Sequence, residues 1–172
     1  MDQGLMLMRV LAALLLVILS PLTAAAQGAP TLLQQYGDWE AYRYEANGQV
    51  TCYLLSKPTR LEPSNRNHGD VFFFLTSRPQ ESVVNEVSFL VGYPFAPDSN
   101  VVVDIDGQKF NLFTKEDGAW VESTADEQQL VAAMRAGRSM TVAAQSERGT
   151  ATNYAFSLSG VTAGSNRVAD CR

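Results

Sequence analysis

From Gly37 onward the apolar residues of this chain mostly recur at every second position. A period of two is the spacing of a half-buried strand, and it conflicts with the three-and-four spacing that a helix needs to build an apolar stripe. Turn-forming residues cut the pattern into candidate strands near 37–44, 49–56, 70–77, 84–92, 100–105, 108–113, 139–146 and 150–158. No internal repeat, low-complexity tract or second linker interrupts them, so one domain is the economical reading.

Two hairpins can be tested by register. In "VVVDIDGQKFNLF", Asp106-Gly107 is a favoured two-residue type I′ turn. Pairing outward from it sets Val103 opposite Phe110 and Val101 opposite Leu112, with Asp104 opposite Lys109 on the other face. For the second hairpin, a two-residue turn at Arg148-Gly149 would oppose Met140 and Val142 to Ser157 and Ala155. A three-residue loop, Glu147-Arg148-Gly149, instead opposes Val142 to Tyr154 and Met140 to Phe156, and places Gly149 where a left-handed residue is wanted. The second register is preferred because bulky residues then meet.

One segment breaks the alternation. "ADEQQLVAAMRAGRSMTV", residues 125–142, opens as a helix with Thr124 as N-cap and Glu127 closing a capping box. Leu130, Val131 and Met134 form its buried stripe, and Gly137 follows as the expected left-handed stop. Arg135 and Arg138 sit at the carbonyl-rich end, where cations are stabilised by roughly 0.3–1 kcal/mol. "VFFFLTS", residues 71–77, is apolar on both faces, which suggests a central strand with its second side covered, by the helix for instance. An exposed aromatic face used for association is the other reading.

The first residues read as a targeting segment. Arg9 precedes the apolar run Val10 to Leu19, and Ala24 and Ala26 supply a small-residue cleavage site. Ten apolar residues fall short of the roughly 20 that span a bilayer, although an uncleaved anchor is the competing reading. The division expected is residues 1–26 signal peptide, 27–36 N-terminal tether and 37–172 a single domain. A net charge of −5 with no basic block argues against nucleic acid and against an anionic membrane surface. The two cysteines, Cys52 and Cys171, form an even count behind an export signal, which favours a disulfide; two buried free thiols are the alternative. Their spacing excludes a CxxC pair, and with one histidine they cannot build a usual zinc site.

Catalytic signals are scarce. His68 is the sole histidine and lies in the polar loop "EPSNRNHGD", where a solvated side chain is expected. No nucleophile elbow, phosphate-cradling glycine loop or dinucleotide fingerprint is present. "DIDG" fails as a calcium loop, because Val102 and Phe113 occupy its first and last ligand positions. No catalytic residue, metal or cofactor is therefore assigned. Two loops remain as candidate recognition surfaces: Lys57 to Gly69, carrying Arg60 and Arg66, and Gly92 to Asn100, carrying Tyr93 and Phe95. Arg135, Arg138 and Arg148 form a third, weaker anion-site candidate.

"GDWEAY", "TCYLL" around Cys52, "EVSFLVGYPF", "VVVDIDGQKFNLF", Trp120, "LVAAMRAGRSMTV", "SERGTATNYAFSLSGVTA" and Cys171, in that order, resemble the invasion-associated locus B family of exported bacterial proteins. The resemblance spans about residues 35 to 171. It implies an all-β fold: an immunoglobulin-like antiparallel β-sandwich with one short α-helix inserted before the last hairpin. It also implies a periplasmic or secreted protein, with host-cell invasion a role of some relatives, and its two-cysteine pattern strengthens the disulfide reading. The expected function is non-enzymatic contact with a protein partner in the envelope or on a host cell. A small-ligand or glycan-binding periplasmic module is the alternative. The tail "GVTAGSNRVADC" places Gly164, Ser165 and Asn166 where a closing helix would want better formers, so its conformation is left open.

Overall fold

The structure, a computed structural model, describes residues 28–171; the expected signal peptide lies outside them. Eleven strands run β1 (Thr31–Tyr36), β2 (Trp39–Ala46), β3 (Gln49–Ser56), β4 (Arg60–Glu62), β5 (Phe72–Arg78), β6 (Val83–Leu90), β7 (Asn100–Ile105), β8 (Gln108–Lys115), β9 (Gly118–Trp120), β10 (Ser139–Gln145) and β11 (Ala151–Ser157). Helix α1 (Thr124–Ala136) precedes β10, and α2 (Val161–Ala169) follows β11. All pairings are antiparallel, in the order β1-β2-β3-β5-β6-β9-β8-β7-β10-β11-β4.

This long sheet folds back on itself, so that the fold is all-β and sandwich-like. Phe73 and Phe89 of one layer meet Phe156 and Tyr154 of the other, with ring centroids 5.8 and 5.4 Å apart. Trp39, wholly buried, donates its indole N–H to the Ser157 carbonyl at 3.0 Å and so ties β2 to β11 across the core. Both hairpins have the expected register. Val103 faces Phe110 with Asp106 and Gly107 at positive φ, and Val142 faces Tyr154 with Gly149 at φ 78°.

Several expectations need correction. The segment expected as a tether forms β1 over Thr31–Tyr36, and the short strands β4 and β9 were not foreseen. The N-cap of α1 is Ser123, whose hydroxyl accepts from the Asp126 N–H at 3.1 Å, so Thr124 is already helical. Glu127 does not close a capping box; its carboxylate accepts from the Val87 N–H of β6 at 2.8 Å. Burial there pushes its pKa upward, partly opposed by that hydrogen bond. Gly137 ends α1 with φ −80° and ψ 172°, extended rather than left-handed, and the tail is a second helix.

That second helix explains Arg135. Its Nε donates to Ser165 Oγ at 2.9 Å, and the Asn85 amide lies within 3.2 Å of both Arg135 and the Ser165 carbonyl. The arginine thus locks α1, α2 and β6 together. Helix α2 packs on β2, β3 and β5 from inside the sandwich, so the outer face of β5 is left uncovered by either helix. Phe72 and Phe74 are half-buried there among Tyr53 and each other, with the Lys57 ammonium 5.3 Å from the centre of the Phe72 ring.

Candidate functional site

At one end of the sandwich three segments converge: residues 63–69 after β4, residues 92–94 after β6, and the β10–β11 turn. Gly69 and Gly92 permit the first contact. A Cβ on Gly92 would stand 2.5 Å from the Gly69 Cα, and the Gly92 N–H donates to the His68 carbonyl at 2.9 Å. The turn joins through its Glu147 N–H, which donates to the Pro94 carbonyl at 2.9 Å. Together they enclose a cleft of about 480 Å³ lined by Arg66, His68, Tyr93, Glu147, Arg148 and Thr152, among others.

A buried hydrogen-bonded chain runs beneath it. His68 Nε2 lies 3.0 Å from the Pro63 carbonyl, which can only accept, so in the neutral ring Nε2 carries the proton. Nδ1 must then accept from the Tyr154 hydroxyl at 2.8 Å. Tyr154 in turn accepts from Tyr93 at 2.7 Å, and Tyr93 from Thr152 at 2.7 Å. Burial, reinforced by the bond to Tyr93, drives the Tyr154 phenol far above its ordinary pKa. The chain clamps the 63–69 loop onto β11. Tyr154→Phe keeps the ring and its contact with Phe89 but orphans Nδ1. It should cost about 1–3 kcal/mol in urea unfolding; a change below about 0.5 kcal/mol would mean that the chain does not hold the loop.

The expected residues fall in different places. Arg66 and Tyr93, predicted on separate loops, are brought together. Arg60 lies outside the cleft on β4, its Nε 3.5 Å from Glu62 and its side chain 71% exposed. It borders a broader hollow of about 820 Å³, lined by Ala143, Ala144 and Ala151 among others, which offers fewer polar groups. Phe95 is only 5% exposed and stacks against Phe89 and Tyr93, so it plugs the core rather than presenting its ring. His68, expected in solvent, is 6% exposed with both ring nitrogens engaged. Arg135, Arg138 and Arg148 do not form one site, because β10 separates the first two from the third by roughly 20 Å at 3.3 Å per residue.

Thr152 and Tyr154 were missed as site residues, and Arg148 was grouped with Arg135 and Arg138 rather than with the Arg66 and Tyr93 loops it joins. Thr152 did leave a signal. In the correct hairpin register it shares the inward face with Tyr154 and Phe156, and a polar residue on an apolar face needs a partner. Arg66 and Arg148 form no ion pair among the described residues, whereas Arg43, Arg60 and Arg78 each do. The described residues contain no group of three or more His, Cys, Asp or Glu side chains able to hold a metal.

The sequence profile of the invasion associated locus B (IalB) protein family matches residues 40–169. Comparison with curated proteins finds no match. Among solved structures, the crystal structure of invasion associated protein B from Bartonella henselae superposes with a TM-score of 0.55 at 16% identity. The alignment covers 82% of this chain and 95% of that one. At that identity the likeness speaks to the fold.

Proposed function

This chain belongs to the invasion-associated locus B family, and from that premise we propose that it is an exported, non-enzymatic protein acting by contact with a protein partner in the envelope or on a host cell. The observation that carries the reading is the cleft itself. Segments far apart in sequence meet there and present Arg66 and Arg148, which form no ion pair among the described residues. Both are exposed, and such guanidiniums suit a partner that offers carboxylates.

The Cys52–Cys171 bond supports a periplasmic or secreted location, since disulfides persist where the compartment is oxidising. No helix among the described residues is long and apolar enough to cross a membrane. His68 argues for a non-catalytic role, because its ring nitrogens already hold the loop to Tyr154 and Pro63.

Crosslinking in the native envelope, followed by identification of the captured protein, tests the reading. The wild-type chain should capture a defined partner, and the Arg66→Ala, Arg148→Ala double variant should lose about tenfold or more of it. Capture at full strength by the variant would remove the cleft from the interface. The cleft volume also suits a small ligand or glycan, for which hollows of about 300–1,000 Å³ are usual. That alternative requires a rise in melting temperature with one class of compound in the absence of any protein partner.

A further inference from the structure

The buried chain beneath the cleft holds one more contact than a neutral imidazole can serve. Beyond the bonds already described, the Thr152 hydroxyl lies 3.3 Å from the Ala144 carbonyl of β10. Five contacts, Pro63–His68, His68–Tyr154, Tyr154–Tyr93, Tyr93–Thr152 and Thr152–Ala144, thus run in one line from carbonyl to carbonyl. A carbonyl only accepts, and each hydroxyl carries one hydrogen. Three hydroxyls and a neutral ring supply four hydrogens for those five contacts, so one contact has none. With the ring hydrogen on Nε2, Thr152 gives its own to Tyr93 and Ala144 receives nothing from it. Moving the ring hydrogen to Nδ1 only shifts the gap to Pro63. An imidazolium brings the fifth hydrogen. Nδ1 then donates to Tyr154, and Tyr154, Tyr93 and Thr152 each turn to donate onward, the last to Ala144.

We propose that His68 is a proton site governing the cleft, which binds its partner's carboxylates more tightly when the ring is protonated. The proposal rests on the reading of the cleft as a surface for carboxylates. His68 lines the cleft with Arg66 and Arg148, so its charge adds to theirs. The charged and titratable groups around the ring are Arg66 and Asp70 on its own loop, Tyr93 after β6, Tyr154 on β11, and Glu147 with Arg148 on the turn. Burial keeps the Tyr154 phenol neutral, and Glu62, just before Pro63, is engaged by Arg60. Among the described residues no acid forms an ion pair with His68. A charged ring only 6% exposed therefore lacks a counter-ion until one enters the cleft. A carboxylate there supplies it, and by linkage proton and carboxylate raise each other's affinity by the same factor.

His68 is the sole histidine, so a single ring signal reports it by NMR in the tag-free, disulfide-bonded chain. Titration from about pH 8 to about pH 4.5 should show that ring protonating in the folded chain, with Nε2 keeping its hydrogen throughout. Thr152→Val preserves shape but leaves Tyr93 nothing to donate to when the line reverses. It should move the titration about half a pH unit or more toward acid. With hexaglutamate as the probe, wild-type affinity should rise about fivefold or more between about pH 7.5 and about pH 5.5, and less in Thr152→Val. The general loss of negative charge in acid acts on both chains alike, so the difference belongs to the ring.

A ring that stays neutral until the chain unfolds would overturn the proposal. So would an unmoved titration in Thr152→Val, or an equal rise in affinity in both chains, and each of these leaves the cleft standing as a carboxylate surface. Hexaglutamate bound at neither pH, or bound at full strength by the Arg66→Ala, Arg148→Ala variant, would sink that surface and the proposal together.

Discussion

Replacing Cys52 and Cys171 together by alanine is expected to lower stability by about 2–5 kcal/mol, read from denaturant unfolding with midpoint and slope fitted separately, the slope rising as the unfolded chain loses its cross-link. The bond closes a loop of sequence separation 119, and in the chain-entropy account a loop of that length is worth on the order of 4–5 kcal/mol. Its location adds a structural reason. Cys171 follows α2 by two residues and is tied to Cys52 in the middle of β3. Helix α2 is weak by itself: nine residues, with Gly160 at its N-cap and no side-chain cap. The bond therefore pins an element whose helix propensity would not keep it in place. Hydrogen exchange in the alanine pair should rise first over Val161–Ala169, then elsewhere. An unchanged midpoint would mean that packing alone seats the helix.

Gly160→Ala is expected to cost more than about 3 kcal/mol, lowering the melting temperature by roughly 6 °C or more for a chain of this size. Gly160 sits at φ 94°, a backbone state that side-chain-bearing residues rarely adopt. It also lies against the β1–β2 turn, where an added Cβ would fall 1.9 Å from the Tyr36 carbonyl oxygen. Gly37 makes the reciprocal approach, its added Cβ 2.4 Å from the Ser159 carbonyl oxygen. Neither backbone can withdraw without separating β1 and α2 from the sandwich. Gly149→Ala supplies the control. Its φ of 78° is also positive, but nothing lies within 4 Å of the new carbon, so only the conformational cost of about 1 kcal/mol remains. Equal losses in the two variants would show that the close approach at Gly160 carries no energy.

The candidate site was legible in parts. Arg66 and Tyr93 could be marked because each stands in a long polar or proline-bounded loop, where binding groups tend to lie. Their meeting could not be read, since it depends on Gly69 and Gly92 touching across two loops. Phe95 and His68 misled for one common reason. Local polarity describes the segment around a residue, whereas burial depends on what the fold later lays over it. The Phe95 side chain packs under Phe89 and Tyr93, and the His68 loop closes down onto β11.

By itself the sequence determined eight of the eleven strands, all but β1, β4 and β9, together with both hairpin registers, the first helix and the pairing of the only two cysteines. These follow from nearest neighbours, side-chain period and turn chemistry, which act over a few residues, and from an even cysteine count. Tertiary structure alone decided α2, the strands β1, β4 and β9, and the cleft. Gly164 and Ser165 look unsuited to a helix, yet Gly164 lets the helix ride on Leu54, whose side chain an added Cβ would approach to 2.4 Å. Ser165, wholly buried, receives the Arg135 hydrogen bond. The residues that weaken this helix in isolation are the ones that let it dock, and docking is a property of the surface it meets.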